Sequence, residues 1–410
     1  MLITHIKQLL CTEKTPRLKL CGKEMSELAV IENAFLQMED GIIFAFGGMA
    51  DAPKDYSGEI IDATDRIVMP AFCDSHTHIV YAGSREMEYI DKIRGLSYEE
   101  IAQRGGGILN SAKLLADTSE ETLFEAAKNR LDEMMRYGTG ATEIKSGYGL
   151  FPKEELKMLR VIRRLKNESK MKIKATLLIA HAVPAEYKGR QSAYVDMMLN
   201  DLLPRVADEN LADFIDVFCD KGFFTVEETD KILNAAAKYG LVPKIHANEL
   251  DFSGGVQIGV KHHALSVDHL EYLGTAEIEA LRNSGTMPTI LPGAAFFLGM
   301  PLSPVRQMID AGLPIAMASD FNPGSSPSGN MQLVMSLGCI RYRMLPEEAI
   351  NAVTLNSAYA MGISDKYGSI AAGKKANLII TQKIANYQYL PYSFGNNKVD
   401  KLIISGEKII

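Results

Sequence analysis

Between residues 67 and 319 short apolar runs alternate with amphipathic stretches, and this alternation constrains the fold more than any other feature of the chain. Eight strand candidates can be placed: Ile67–Asp74, Ala141–Lys145, Ala175–Ala180, Phe214–Cys219, Val242–Ala247, Ala264–Asp268, Met287–Leu291 and Ile315–Ser319. Helical periodicity is clear in Glu120–Tyr137, Lys153–Glu168, Val226–Tyr239, Ala276–Asn283 and Ser303–Ala311. Strands that alternate with helices pair in parallel, because each return to the sheet needs a crossover long enough to hold a helix. Eight such units predict an α/β chain closed into a (β/α)8 TIM barrel. An open doubly wound sheet is the alternative, but the glycine-rich dinucleotide turn expected after its first strand is missing.

The two ends have a different texture. Ala29–Met38 and Ile42–Phe46 flank Glu39-Asp40-Gly41, and Asp-Gly between β-prone runs predicts a hairpin. Ala376–Thr381 and Val399–Ile404 repeat the pattern near the C-terminus. The expectation is a small β-sandwich domain formed by residues 1–66 and 370–410, beside a barrel of residues 67–369. A chain of 410 residues has room for one large and one small domain.

Composition excludes several classes of function. Lysine and arginine number 44 against 51 acidic residues, and no basic cluster is dense enough to track phosphates, so a nucleic-acid partner is not expected. No 18-residue uncharged apolar run marks a membrane span. Met1–Lys7 lacks the basic and apolar regions of a secretory signal, so a cytoplasmic location is expected. The five cysteines are scattered without a CxxC pair, which argues against a disulfide framework or a thiolate zinc site.

The chemistry gathers at strand ends. Of eight histidines, five (His76, His78, His181, His246 and His269) fall at or just beyond the end of a predicted strand, and Asp320 follows the eighth. In a parallel barrel these ends share one face, so residues far apart in sequence meet there. Within Asp74-Ser75-His76-Thr77-His78 the imidazoles lie two residues apart on a strand and point the same way. With His246 and Asp320 they form a nitrogen and oxygen donor set suited to zinc or non-haem iron, with room for water. Such an ion lowers the pKa of bound water to about 7. His5, His262 and His263 read as non-ligands.

The string Met69-Pro70-Ala71-Phe72-Cys73-Asp74-Ser75-His76-Thr77-His78, with its flanking β regions, resembles the amidohydrolase superfamily. Further strings are similar to the branch that opens the imidazolone ring in histidine degradation. They are Tyr81–Glu86, Gly105–Ile108, Lys145–Leu150, Ala180–Pro184 and Asp320–Ser325, followed by Asn330–Leu333. The resemblance runs from about residue 65 to 375. It implies hydrolysis of the lactam C–N bond of 4-imidazolone-5-propanoate to N-formimidoyl-L-glutamate by a metal-bound hydroxide. It also implies one Zn2+ or Fe3+ per subunit, held by His76, His78, His246 and Asp320. Two residues depart from the pattern: Ala71 stands where the superfamily usually has glycine, and Asn248 where this branch often has aspartate.

An anionic cyclic amide of that kind needs a fixed cation, and Arg85 on the first loop can grip its carboxylate bidentately. Tyr148 can donate through its hydroxyl, and His181 can reach the lactam oxygen or the carboxylate. Asn322-Pro323-Gly324-Ser325 offers an amide, a hydroxyl and the N–H groups of Gly324 and Ser325. The expected roles give Asp320 and His269 the water, and Glu249 the ring nitrogen and the proton passed to it. Which carboxylate acts as general base stays open. A nucleobase-type deaminase or another cyclic amidase is the rival reading, as is a barrel that only binds. A binuclear site bridged by a carboxylated lysine is disfavoured, because Lys145 follows the second strand, whereas such a bridge usually lies on the fourth. The Gly105–Gly107 run is a candidate lid, and a homodimer is the expected assembly.

Overall fold

The computed structural model describes residues 1–96 and 106–410. Of the Gly105–Gly107 run read as a lid, Gly105 lies outside these residues. The chain opens with five strands, β1 (Leu2–Leu10), β2 (Val30–Glu39), β3 (Ile42–Gly48), β4 (Ile60–Asp62) and β5 (Ile67–Pro70). Eight barrel strands follow: β6 (Phe72–Thr77), β7 (Thr139–Lys145), β8 (Lys172–Ala180), β9 (Phe214–Cys219), β10 (Val242–Ala247), β11 (Ser266–His269), β12 (Met287–Ile290) and β13 (Ala316–Met317). The last three are β14 (Leu378–Thr381), β15 (Val399–Ile404) and β16 (Glu407–Lys408).

Each barrel strand pairs in parallel with its sequence neighbour, from β6 through to β13. The barrel closes just beyond its shortest strand, where Thr77 and Phe321 form a parallel bridge. There Asp320 N–H donates to His76 O at 3.0 Å, and His78 N–H donates to Phe321 O at 2.9 Å. Amphipathic helices cover the outside, and their starts are set locally. Ser119 Oγ accepts the Thr122 N–H at the head of Glu120–Arg136, Pro152 opens Pro152–Glu168, and Thr225 with Glu228 caps Val226–Ala237.

Both chain ends join one sheet, in the order β16-β15-β14-β5-β1-β2-β3, with β4 on β1. The turn between β2 and β3 has positive φ at both Asp40 (48°) and Gly41 (75°), the geometry that makes Asp-Gly a hairpin signal. A side chain at Gly41 would also strike Ser405 O, at 2.6 Å. This sheet has its own apolar cluster, which includes Ile3, Ile6, Leu36, Val68, Leu378 and Ile403.

Three features differ from the sequence-based expectation. The run Ile67–Asp74 is two strands in two sheets. Pro70 has no N–H to extend a ladder. Ala71 N–H then bonds Asn377 O of the small sheet at 2.9 Å, while Phe72 N–H bonds Gly138 O of the barrel at 3.0 Å. The last barrel strand stops before Ser319, whose N–H and hydroxyl are taken by the Asp74 carboxylate at 3.0 and 2.5 Å. Helices Met331–Tyr342, Pro346–Val353 and Leu355–Ala360 were not placed from sequence. Most of their residues are buried, and Met331–Tyr342 in particular lacks the polar stripe that reveals a surface helix.

Candidate active site

Strand ends bring the predicted donors together. His76 Nε2 lies 3.2 Å from His78 Nε2, and Asp320 Oδ1 lies 3.5 Å from each. The edge of a tetrahedron with zinc–nitrogen bonds of about 2.0–2.1 Å is about 3.3 Å, so this triangle fits one ion. His76 also belongs to a second group, with His246 and His269, whose ligand atoms lie within 4.8 Å of one another. The His76 and His246 ring centroids are 4.5 Å apart. Burial holds His76 and His78 well below the usual imidazole range, helped by Lys145 and His246 respectively. With His76 Nδ1 turned to a carboxylate, its Nε2 is free to face the same point as His78 Nε2 and Asp320 Oδ1, an arrangement suited to a cation. The donor set present fits a metal ion.

The opposite edge of two of these rings faces carboxylates. His76 Nδ1 is 2.7 Å from Asp268 Oδ2, and His246 Nδ1 is 2.9 Å from Asp216 Oδ2. A proton on Nδ1 leaves Nε2 as the ligand atom. Asp320 and His269 carry positive φ values of 54° and 85°, in a backbone region that non-glycine residues seldom occupy and that clusters at functional sites.

Loops above the strands supply the rest of the pocket. Arg85 Nε donates to Ser111 Oγ at 2.9 Å, while its buried Nη2 makes no hydrogen bond among the described residues. Its guanidinium carbon sits 5.7 Å from the centre of the Tyr148 ring. Tyr148 is buried beside His78 and His181, at ring separations of 5.9 and 5.3 Å. The buried Glu155 carboxylate shapes its loop, accepting the N–H groups of Gly147, Gly149 and Leu150 at 3.0, 2.6 and 2.9 Å. His181 Nδ1 is 2.9 Å from Gly147 O, and burial, with His246 next, pushes its pKa down to about 3.

The Asn322–Ser325 turn is arranged differently from the free donor set read from sequence. Asn322 Oδ1 accepts both the Gly324 and the Ser325 N–H, each at 2.8 Å, so these groups are engaged within the turn. Asn322 Nδ2 donates to Asp320 O at 2.8 Å and Ser325 Oγ donates to Asp320 Oδ2 at 3.1 Å, tying the turn to the ligand carboxylate. Gly324 has a steric role as well, since a Cβ there would run into Arg85 Nη1.

Glu249 and His269 face each other, with Oε2 3.7 Å from Nδ1. Burial raises Glu249 to about 7 against the pull of His269. Burial lowers His269, but Glu249 and Glu271 outweigh it and drive the imidazole up. Asp220 Oδ2 accepts the Glu249 and Leu250 N–H groups at 2.6 and 2.9 Å, which sets the direction of the Glu249 side chain.

Sequence reading passed over the polar residues beneath the ligands: Asp74, Glu143, Asp216, Lys244 and Asp268. All are fully buried. Their signal was available, because Glu143 and Lys145, Lys244 and His246, and Ser266 and Asp268 occur two apart within strands, the spacing that puts side chains on one face.

Comparison with known proteins gives the family. The amidohydrolase family model matches residues 67–409. Imidazolonepropionase of Christiangramia forsetii is 54% identical over 409 residues, covering 100% of this chain and 100% of its own. Imidazolonepropionase of Flavobacterium johnsoniae is 54% identical over 408 residues, covering 100% of this chain and 99% of its own. A 5-methylcytosine deaminase structure from Klebsiella pneumoniae superposes with a TM-score of 0.74 at 19% identity, covering 100% of this chain and 98% of that one, a likeness of fold alone. The chain therefore belongs to the amidohydrolase family and, within it, to the imidazolonepropionases.

Proposed function

We infer that this chain hydrolyses the lactam C–N bond of 4-imidazolone-5-propanoate, giving N-formimidoyl-L-glutamate in histidine degradation. The observation that carries the reading is its 54% identity, over its whole length, to imidazolonepropionases. His76, His78, His246 and Asp320 would hold one zinc or iron ion per subunit. When bound, that ion supplies Lewis acidity and lowers the pKa of water.

The residues around it divide the remaining work. Arg85 Nη2, buried and without a hydrogen bond among the described residues, is the donor for the substrate propionate. Tyr148 and His181 line the same wall and orient the ring. His269 and Asp320 position the attacking water, and the Asp320 carboxylate takes its proton. Glu249 holds a proton at the ring nitrogen and delivers it as the C–N bond breaks. A neutral nucleobase would offer no carboxylate to the buried Arg85 Nη2, which favours ring opening over deamination. The reading also has the chain acting as a cytoplasmic homodimer.

The direct test is loss of the imidazolone ultraviolet absorbance when metal-loaded protein is added. A flat trace with bound metal confirmed would overturn the substrate assignment. Gly324→Ala is expected to raise KM about 10- to 100-fold with kcat little changed. The added methyl displaces Arg85 and costs a charge-assisted contact of about 1.5–3 kcal/mol. Unchanged KM for this variant would remove Arg85 as the carboxylate clamp.

A further inference from the structure

Beneath the ligand histidines five charged side chains, all fully buried, form one connected group inside the barrel. Lys145 is its hub. Lys145 Nζ donates to Glu143 Oε1 at 2.6 Å and to Asp216 Oδ2 at 2.8 Å, and lies 3.7 Å from Asp268 Oδ2. These two aspartate oxygens are the same atoms that face His246 Nδ1 and His76 Nδ1. One ammonium group therefore stands behind both carboxylate–histidine pairs.

The second buried lysine lies 4.0 Å from Asp268 Oδ2 and away from Asp216, and its hydrogen bonds go elsewhere. Lys244 Nζ donates to Glu143 Oε2 and also to two backbone carbonyls, Ser75 O at 3.0 Å and Ala360 O at 3.1 Å. Those bonds tie β6 to the helix Leu355–Ala360, a structural task. Every partner found for Lys145 Nζ is a carboxylate oxygen.

We propose that Lys145 is a positioning residue that fixes His76 and His246 together as Nε2 ligands, by holding Asp268 and Asp216 in register through one shared ammonium. Removing that charge leaves the two carboxylates on either side of the space Nζ fills, and the mutual attraction becomes repulsion. Their contacts with the Nδ1 edges then loosen, and two ligands from different strands lose orientation at once. Lys145 thus acts as a fixed cation in this chain, without itself bridging metals. The inference rests on the metal-binding part of the proposed function, and its readout does not depend on the substrate being identified correctly.

The experiment measures the affinity of Lys145→Met for Zn2+ by competition with a chromophoric chelator, with circular dichroism melts to follow folding. A rise of about 10- to 100-fold in the apparent dissociation constant is expected, the size typical of losing an outer partner of a ligand. The visible spectrum of the Co2+-loaded variant should differ from that of the loaded parent, which a merely structural lysine would not produce. If Lys145→Met does not fold, Lys145→Met/Glu143→Gln keeps the buried charge balance and is measured against Glu143→Gln alone. The same weakening supports the proposal. Affinity and cobalt spectrum unchanged from the matched parent, in a folded variant, overturn it.

Discussion

Asp320→Asn is expected to fold as the parent does and to lose on the order of 10³-fold in kcat. Asn tolerates the left-handed backbone at this position, where φ is 54°, nearly as well as Asp, so the substitution tests chemistry more than architecture. The carboxylate it removes stands 3.5 Å from both His76 Nε2 and His78 Nε2 and accepts the Ser325 hydroxyl at 3.1 Å. Its negative charge is the only one in that triangle of donors, so metal retention should fall with turnover. Elemental analysis after dialysis, run beside steady-state kinetics, separates the two effects. Parental turnover with a full complement of metal would remove Asp320 from both ligation and proton handling.

Glu249→Gln should lower kcat by about 10²- to 10⁴-fold and change the shape of the pH profile. Burial lifts the Glu249 carboxyl to about 7, so near neutrality a substantial fraction keeps its proton. A residue that gives a proton to the leaving nitrogen must start protonated. Its active form therefore predominates below pH 7 and is lost as pH rises through that value. The parent should show kcat/KM falling on the alkaline side of about pH 7, and Glu249→Gln should lack that limb. A Gln variant that keeps the limb, or keeps near-parental turnover, would take Glu249 out of proton transfer.

Two departures from the family pattern have local explanations in the fold. Ala71 lies at the step between the two sheets, and its methyl faces Gly140, where an added Cβ would come within 2.6 Å of it. Glycine on one side therefore makes room for alanine on the other. Asn248 has φ of 57°, a conformation asparagine favours. Its amide donates to Tyr272 O at 2.9 Å, a bond an ionised aspartate could not make. Neither position displaces a ligand atom.

Much of the site was legible because its signals are local. The histidines, Glu249 and Asp320 all stand at or after apolar strands, and the parallel barrel gives every such position the same destination. The Asn322–Ser325 turn was misjudged in one respect, since a run of residues shows how many N–H groups exist and cannot show which are already engaged. Asn322 Oδ1 takes both of them. The charged residues inside the barrel were missed because attention to strand ends discounts what lies further down each strand.

The alternation of strand and helix, the Asp-Gly hairpin and the placement of ligands at strand ends follow from the order of residues alone. Hydrophobic periodicity and turn chemistry act over a few residues, so they survive without a fold. Tertiary structure decided which atoms meet. His76 and Asp268 are 192 positions apart, and only barrel closure sets their 2.7 Å contact and, with it, the ring nitrogen left to bind metal. Closure likewise places Lys145 between Asp216 and Asp268, because a charge on one strand finds its partners only when the neighbouring strands have curved around it.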